Sequence, residues 1–415
     1  MTTGPVIVIG GGAAGLMAAG RAGEKGARVI LLEKNRVLGR KVRISGKGRC
    51  NVTNAGELRA FIENYPGNGE FLYSAFHKFF NDDLRQLLES LGVSLKVERG
   101  GRVFPQSDQA ADIVNALERY LQQGAVEVRR EETVRKILLE KDCVTGVKTD
   151  SGTVNTSCVI VATGGKSYTA TGSTGDGYRW AHEAGHTISP LRPALAPLNT
   201  REEWVKELQG LSLKNVEAVL RAGDKVLGRE FGEMLFTHFG VSGPIILTLS
   251  RWVARAEAHG DLLLQINLKP SLDVEKLDNR LQRDFQIYQR KQIKNALDDL
   301  LPKRLIPIII KLSGIAPEKF VHQITRKERA VLIELLTALP LFVSGCRPLD
   351  EAIVTAGGVS LKEVNPKTME SKLVQGLYFA GEILDIDGYT GGYNLQAAFS
   401  TGYVAGDAAA NRLGY

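Results

Sequence analysis

Val6-Ile7-Val8-Ile9-Gly10-Gly11-Gly12-Ala13-Ala14-Gly15 decides how this chain of 415 residues is read. A β-branched run of this kind favours a strand buried on both faces, as in a parallel sheet. The glycines then turn the chain into a helix. Gly10 permits the turn, Gly12 lets backbone approach a pyrophosphate, and Gly15 lets helix pack on strand. The helix start offers unbonded N–H groups and the positive end of its dipole to an anion. A second apolar strand, Arg28-Val29-Ile30-Leu31-Leu32, ends on Glu33, whose carboxylate can accept hydrogen bonds from ribose hydroxyls. Gly15 and Glu33 stand 18 positions apart, close to the ~20 of a dinucleotide-binding βαβ unit. The expectation is a bound dinucleotide.

The remaining composition narrows the class. A chain this long exceeds the usual single core, so two or three domains are expected. With 43% hydrophobic and 24% charged residues it is an ordinary globular chain rather than a disordered one. The formal charge of +7 suits an anionic cofactor or substrate. RNA would suit it too, but no dense lysine-arginine block argues for RNA. The apolar run Leu305-Ile306-Pro307-Ile308-Ile309-Ile310 is broken by proline and falls short of the ~18 residues of a membrane span. The first strand begins almost at once, which argues against a signal peptide. Cys50, Cys143, Cys158 and Cys346 form no CxxC and no metal-like spacing, so no metal centre is expected. The expected compartment is a reducing cytoplasm.

After Glu33 comes Gly39-Arg40-Lys41-Val42-Arg43-Ile44-Ser45-Gly46-Lys47-Gly48-Arg49-Cys50-Asn51-Val52-Thr53-Asn54. Small residues, cations and hydroxyl or amide groups are the parts needed to wrap a nucleotide with backbone and charge. Two helices follow, one containing Phe71 to Phe80 and one capped near Asn81. Arg102-Val103-Phe104-Pro105 reads as extended, before a helix to about Gln123. Val126 to Val161 reads as a strand-rich excursion that places Val134 where its backbone can contact an adenine. Val159-Ile160-Val161-Ala162-Thr163-Gly164-Gly165 is a second buried strand closing on glycines. Thr171 to Gly177 leads into a further helix whose start is also open to an anion.

Composition shifts at Pro190, Pro193 and Pro197. Residues 193–344 read as an insert, strand-rich over 193–270 and helical over 271–344. The flanking parts, 1–192 and 345–415, then form one interrupted domain. Gly376-Leu377-Tyr378-Phe379-Ala380-Gly381-Glu382 is the returning strand, and Gly391-Gly392-Tyr393-Asn394 opens a last helix. A second GxGxxG with its own strand and acid is missing, so no dedicated nicotinamide domain is expected. Glu382 stands where a carboxylate can bind a ribityl chain. The Gly391-Gly392 helix start can face the pyrimidine edge of a flavin, where it would favour the reduced anion.

These runs resemble one family. Gly39-Arg40-Lys41 through Asn54, Gly101-Arg102-Val103-Phe104-Pro105, and Gly376 to Glu382 with Asp385-Ile386-Asp387-Gly388-Tyr389-Thr390-Gly391-Gly392-Tyr393-Asn394 are similar to the BaiN/YhiN-like FAD-dependent oxidoreductases, aminoacetone-oxidase-like enzymes included. Thr171 to Gly177 and Ala380 to Glu382 also look like pieces of fumarate-reductase-type flavoproteins. The resemblance spans nearly the whole chain. It implies an α/β fold, with a Rossmann-type, glutathione-reductase-like FAD domain interrupted by a β-barrel-like and helical insert. It implies FAD contacts at Ala14, Glu33, Lys41, Ser45, Asn51, Val134, Gly381 and Asn394. With the motif residues Gly10, Gly12, Ala13 and Gly15, the expected cofactor set extends to Lys34, Arg40, Gly46, Gly48, Cys50, Gly164, Glu382, Asp385, Gly392 and Leu395. Lys47 departs from the pattern, because family members often carry a small residue there.

The function expected is hydride transfer between flavin N5 and a small organic substrate, an amine or a conjugated enone. NAD(P)H or O2 would be the redox partner. The alternatives are a flavin-dependent RNA-modifying or RNA-binding protein and a structural flavin holder. Against RNA, the sequence shows no basic stretch interleaved with aromatics. In the insert, Leu235-Phe236-Thr237-His238-Phe239-Gly240-Val241-Ser242-Gly243-Pro244 is a polar kernel among apolar residues and glycines. His238 is the candidate acid–base group, facing the flavin across a cleft, with Arg102 and Tyr393 as candidate substrate contacts. A backbone-bonded structural histidine is the plainer reading of His238.

Overall fold

The computed structural model describes residues 4–256 and 261–415. Strand β1 (Val6–Ile9) is buried throughout and runs at the centre of a five-stranded sheet. Helix α1 (Ala13–Glu24) follows, then strand β2 (Val29–Glu33). The sheet order is Leu377–Phe379, Cys158–Val161, β1, β2, Glu127–Arg130. Every pair is parallel, with Val8 opposite both Ile160 and Leu31. The two returning strands therefore lie in the sheet that the first βαβ unit begins.

The turn into α1 works as the glycines require. Gly10 has φ 104, a left-handed conformation that glycine adopts without a Cβ clash. A Cβ on Gly15 would sit 1.8 Å from the Gly10 carbonyl oxygen, so strand and helix meet at backbone distance. The C-terminal helix, Tyr393–Arg412, lies along α1 by the same device. A Cβ on Gly402 or Gly406 would fall 2.3 Å from the carbonyl oxygens of Ala14 and Ala18.

Two three-stranded antiparallel sheets also belong to this unit. One pairs Thr53–Asn54 with Arg102–Pro105 and Leu95–Glu98. The other is the three-stranded excursion Val134–Glu140, Cys143–Thr149, Gly152–Asn155. Asn81 is not the cap of its helix but the first helical residue. Its amide donates instead to the carbonyls of Asn54 and Gly56, and the Asp83 carboxylate accepts the N–H of Phe80.

The chain divides into two compact units, 1–192 with 349–415, and 193–348. The second unit holds a closed six-stranded barrel, in the order Leu198–Thr200, Gly240–Ser242, Lys225–Phe236, Ser212–Ala222, Leu262–Asn267, Leu339–Cys346. Helix Pro244–Ala256 packs on its strands. Helices Val274–Ile287, Ile306–Ser313 and Arg326–Thr337 bury their apolar faces in the same core. The Asp273 carboxylate caps the first of these, and Thr325 with Glu328 forms a capping box on the last.

One boundary inside this unit needs correcting. The helical stretch ends at Thr337, and Leu339–Cys346 is a strand. Leu339, Leu341 and Val343 alternate inward with period two, and the strand closes the barrel between Leu262–Asn267 and Leu198–Thr200. A continuous apolar-rich stretch hid that change of period.

Candidate flavin site

Three pieces of the first unit converge on the start of α1. Gly12 is its N-cap, with no side-chain cap and no acid in the first turn. A Cβ on Gly12 would meet nothing within 4 Å, so there is open space beside the N-cap of this helix. Glu33, buried at the end of β2, accepts from Gly11 N–H at 2.7 Å through Oε2. Its Oε1 accepts from the Asn35 backbone N–H at 2.8 Å and from Asn35 Nδ2 at 2.6 Å. A carboxylate has about four acceptor positions, so one remains for a ribose hydroxyl. Glu132 N–H donates to the Glu33 carbonyl at 3.0 Å, which brings the approach to Val134 alongside the end of β2.

The loop after β2 wraps back over this start. Gly39 N–H donates to the Gly11 carbonyl at 2.8 Å. Gly46, Lys47, Gly48 and Cys50 all have left-handed backbone, with φ of 57, 59, 84 and 59. Such a turn presents several N–H groups together, which suits an anion. Arg49 holds the turn from below: its guanidinium bonds Glu98 and Asp108 and stacks 4.2 Å from the centre of the Phe104 ring. Burial pushes the Cys50 thiol up to about 12, so it is a core group and not a nucleophile. The Oδ1 of Asn51 is buried without a hydrogen-bond partner. Unpaired buried acceptors are rare and costly, so this atom is a ready contact for a donor on a bound ring.

The C-terminal return supplies the third piece. Gly381 has φ 80, and a Cβ there would lie 2.8 Å from the Cβ of Ala14. Gly392 caps the C-terminal helix at φ 98, with its α-carbon packed against the Thr53 carbonyl. Asn54 Nδ2 donates to the carbonyls of Gly391 and Gly100, tying helix start, loop and hairpin together.

Several expected contacts have other partners. Lys34 is held by Thr174 Oγ1 and Asp176 Oδ2. Asp176 occupies the first turn of helix Asp176–Glu183, so that helix start is already neutralised and is not open to an anion. Burial works against the Asp176 charge, and the bonds from Lys34 and Thr174 outweigh it, holding the carboxyl below its usual range. Arg40 bonds Asn35 Oδ1. Ser45 Oγ donates to the Val42 carbonyl. Asn394 closes its own loop through Gly388 N–H, Gly388 O and Tyr389 O. Gly164 has φ 73 beside Ser173, and Asp385 and Leu395 are half-buried near the start of the last helix.

Arg102 donates to the Arg99 carbonyl and lies 3.9 Å from Glu98. Tyr393 packs edge-on against Phe61 at 4.7 Å, and burial raises its hydroxyl pKa. In the second unit, His238 is exposed at the bend between Lys225–Phe236 and Gly240–Ser242, edge-on to Phe239 at 4.9 Å. Beside it, Thr237 Oγ1 is buried without a partner. Asn54, Arg49 and the buried Ser167 stood outside the expected residue set. Asn54 and Arg49 lie in the stretch after β2, but their roles rest on partners distant in sequence. Ser167 lay in no motif.

A Rossmann sheet with a glycine-turn helix start, a terminal acid and a returning glycine-acid strand is the frame of a flavin-dependent oxidoreductase. The comparisons agree. Residues 4–408 match the model of the HI0933-like protein Rossmann domain. The chain is 33% identical over 409 residues to a 3-dehydro-bile acid delta(4,6)-reductase of Clostridium scindens, covering 98% of each. It is 34% identical over 400 residues to a ribosomal RNA dihydrouridine synthase of Escherichia coli K12, covering 96% of each. A 3-ketosteroid-delta4-(5alpha)-dehydrogenase of Rhodococcus jostii RHA1 shares the fold, with TM-score 0.53 and 14% identity over 98% of this chain and 97% of that one. The chain belongs to the HI0933-like family of FAD-dependent oxidoreductases, and FAD is its cofactor. Among the described residues no helix is long and apolar enough to cross a membrane, and no cluster of His, Cys, Asp and Glu could hold a metal ion.

Proposed function

We propose that this chain reduces a carbon–carbon double bond conjugated to a carbonyl. One observation carries the reading: two relatives, each matched over at least 96% of this chain, are named for this one bond type. A delta(4,6)-reductase acting on a 3-dehydro compound reduces an enone. Making dihydrouridine saturates the C5=C6 bond of uridine, which is conjugated to the C4 carbonyl. This favours the reductive direction over amine oxidation.

FAD supplies the hydride chemistry. The chain's own part begins with binding: first-turn N–H groups of α1 for the pyrophosphate, Glu33 for the adenosine ribose, and Asn51 Oδ1 for a donor on the ring. The start of the C-terminal helix at Gly392 favours negative charge beside it. Saturating an enone also needs a proton at the carbon next to the carbonyl. His238 is our candidate donor, with Arg102 and Tyr393 as candidate substrate contacts. NADH or NADPH visiting the flavin is the proposed reductant.

For the substrate, a uridine within RNA is favoured by the net charge of +7 and by the rRNA-acting relative. A small enone is the second reading, carried by the bile-acid relative. The experiment is anaerobic stopped-flow. Flavin reduced with NADH or NADPH is mixed with a uridine-containing RNA or a 3-oxo-4-ene steroid, and reoxidation is followed near 450 nm. Reoxidation by either supports the reading and picks the substrate. Reoxidation by neither, with flavin reduction by amines, would overturn it.

A further inference from the structure

The positive charge of this chain is unevenly placed. Residues 269–329 hold fourteen lysines and arginines against eight aspartates and glutamates, a surplus of six in a chain whose total surplus is seven. Most of those acids are already engaged within the segment. Asp273 pairs with Lys276, Asp278 with Arg329, Asp284 with Arg280, Glu318 with Lys294, and Glu328 with Lys319. Arg290, Lys291, Arg326 and Lys327 are exposed and form no ion pair among the described residues.

Two parts of this segment meet at one edge. Gln292 bridges antiparallel to Phe320, Ile293 N–H donates to the Lys319 carbonyl at 2.9 Å, and Val321 N–H donates to the Lys291 carbonyl at 3.1 Å. His322 Nδ1 lies 2.7 Å from the Gln289 carbonyl oxygen, so that nitrogen carries the proton. The register brings Arg290 and Lys291 alongside Phe320 and His322. Phe320 is 40% exposed, and its ring stacks on His322 with centroids 5.8 Å apart and planes 29° apart. Lys291 Nζ stands 4.1 Å from the centre of the Tyr288 ring.

The exposed Phe320–His322 pair stands beside cations that form no ion pair among the described residues, although the Tyr288 hydroxyl is already bonded to Asp299. Such a set has the parts that bind unpaired nucleic acid. The cations take phosphates and the ring faces stack on bases. The sequence hid this combination, because Tyr288-Arg290-Lys291 and Phe320-His322 lie some 30 positions apart and only the bridge joins them. An acidic protein partner would use the cations but has no use for a stacking platform.

We propose that this knuckle, residues 288–291 with 320–322, is an RNA-docking surface. Arg290 and Lys291 hold phosphates, and the Phe320–His322 stack receives a base from an unpaired loop. Lys319 is spent on Glu328 and takes no part. The inference rests on the reading that a uridine in RNA is the substrate.

The test uses the FAD-loaded full chain and a fluorescein-labelled RNA hairpin with a uridine-rich loop, followed by anisotropy at several salt concentrations. R290E/K291E should weaken binding at least tenfold and flatten the slope of log affinity against log salt by about 2, since each phosphate contact contributes about one. Phe320→Ala should weaken it ~5- to 30-fold at unchanged slope, which is the stacking of one base. Lys225→Glu, an exposed cation on a barrel strand, should change neither. Flavin absorbance and thermal midpoint report that each variant is folded. Unchanged affinity in both knuckle variants, or polyglutamate binding as tightly as RNA with no loss in Phe320→Ala, would overturn the proposal. Patch-dependent binding without flavin reoxidation would keep the surface and remove the substrate reading. RNA-driven reoxidation with a KM untouched by the variants would keep the substrate reading and remove the surface.

Discussion

Lys41 Nζ lies 2.7 Å from Glu382 Oε2, although 341 positions separate the two residues. Lys41 also donates to Ser167 Oγ at 2.8 Å, and Ser167 Oγ donates to Glu382 Oε1 at 2.9 Å. The backbone N–H of Thr355 completes the carboxylate at 2.8 Å. The two side chains are 26% and 19% exposed, so water screens the pair less than it would at the surface. Glu382 is therefore a clamp between the loop after β2 and the returning strand.

This clamp should behave as one unit. Lys41→Met and Glu382→Gln should each lower stability by about 1.5–3 kcal/mol, because each strands a charged partner. The double variant should lose less than the sum, by 0.5 kcal/mol or more. Urea midpoints of the four proteins measure this, and strict additivity would sink it.

Glu33 should govern FAD retention. Glu33→Ala removes the acceptor of Gly11 and Asn35 as well as the acceptor position proposed for the ribose. Losing one or two bonds to a charged group, ~1.5–3 kcal/mol, corresponds to ~10- to 150-fold weaker FAD binding. The ratio of flavin to protein absorbance after gel filtration reports it. Full occupancy at low protein concentration would take Glu33 out of the site.

Lys47 is strained by its own backbone, with φ 59. A left-handed conformation costs an L-residue ~1–2 kcal/mol and costs glycine almost nothing. The added freedom of glycine in the unfolded chain offsets ~0.5–1 kcal/mol of that. Lys47→Gly should therefore raise the thermal midpoint slightly, and a clear fall would show that the lysine side chain makes a contact that matters.

Acid should weaken the helical part of the second unit through Glu328. The hydrogen bond from Lys319, with the Thr325 backbone N–H, lowers its carboxyl from 4.5 to about 2. A depressed folded pKa gives stability that is complete above 4.5 and is lost as pH falls towards 2. Urea midpoints should then separate wild type from Glu328→Gln at pH 7, and the gap should narrow steadily below pH 4.5 and close only near pH 2. A constant gap across that range would assign the effect to capping geometry alone.

The thiols should divide by burial. Cys50 and Cys158 are buried, with pKa values pushed up to about 12 and about 11 by desolvation. Cys143 is half-exposed. Maleimide at pH 7.5 should label Cys143 within minutes and leave Cys50 and Cys158 untouched until urea unfolds the chain. Rapid labelling of Cys50 would show that the loop opens.

Local chemistry determined the first layer of this structure. The β-branched run, the glycine turn and Glu33 specify strand, helix and strand within 28 residues, and neighbours in sequence suffice to read them. The strand periods at Val159 and Leu377 were legible for the same reason. Leu339–Cys346 was not, because its alternation is masked by a continuous apolar run next to a helix. Tertiary structure alone decided the partners. Asn81 was drawn from capping to Asn54, and Lys34 to Asp176. Lys41 was joined to Glu382, and Arg290 brought beside Phe320. Secondary structure follows from φ, ψ and periodicity over a few residues. Which side chain meets which is decided by a fold that closes loops of 27 to 341 residues, and no spacing in the sequence encodes those meetings.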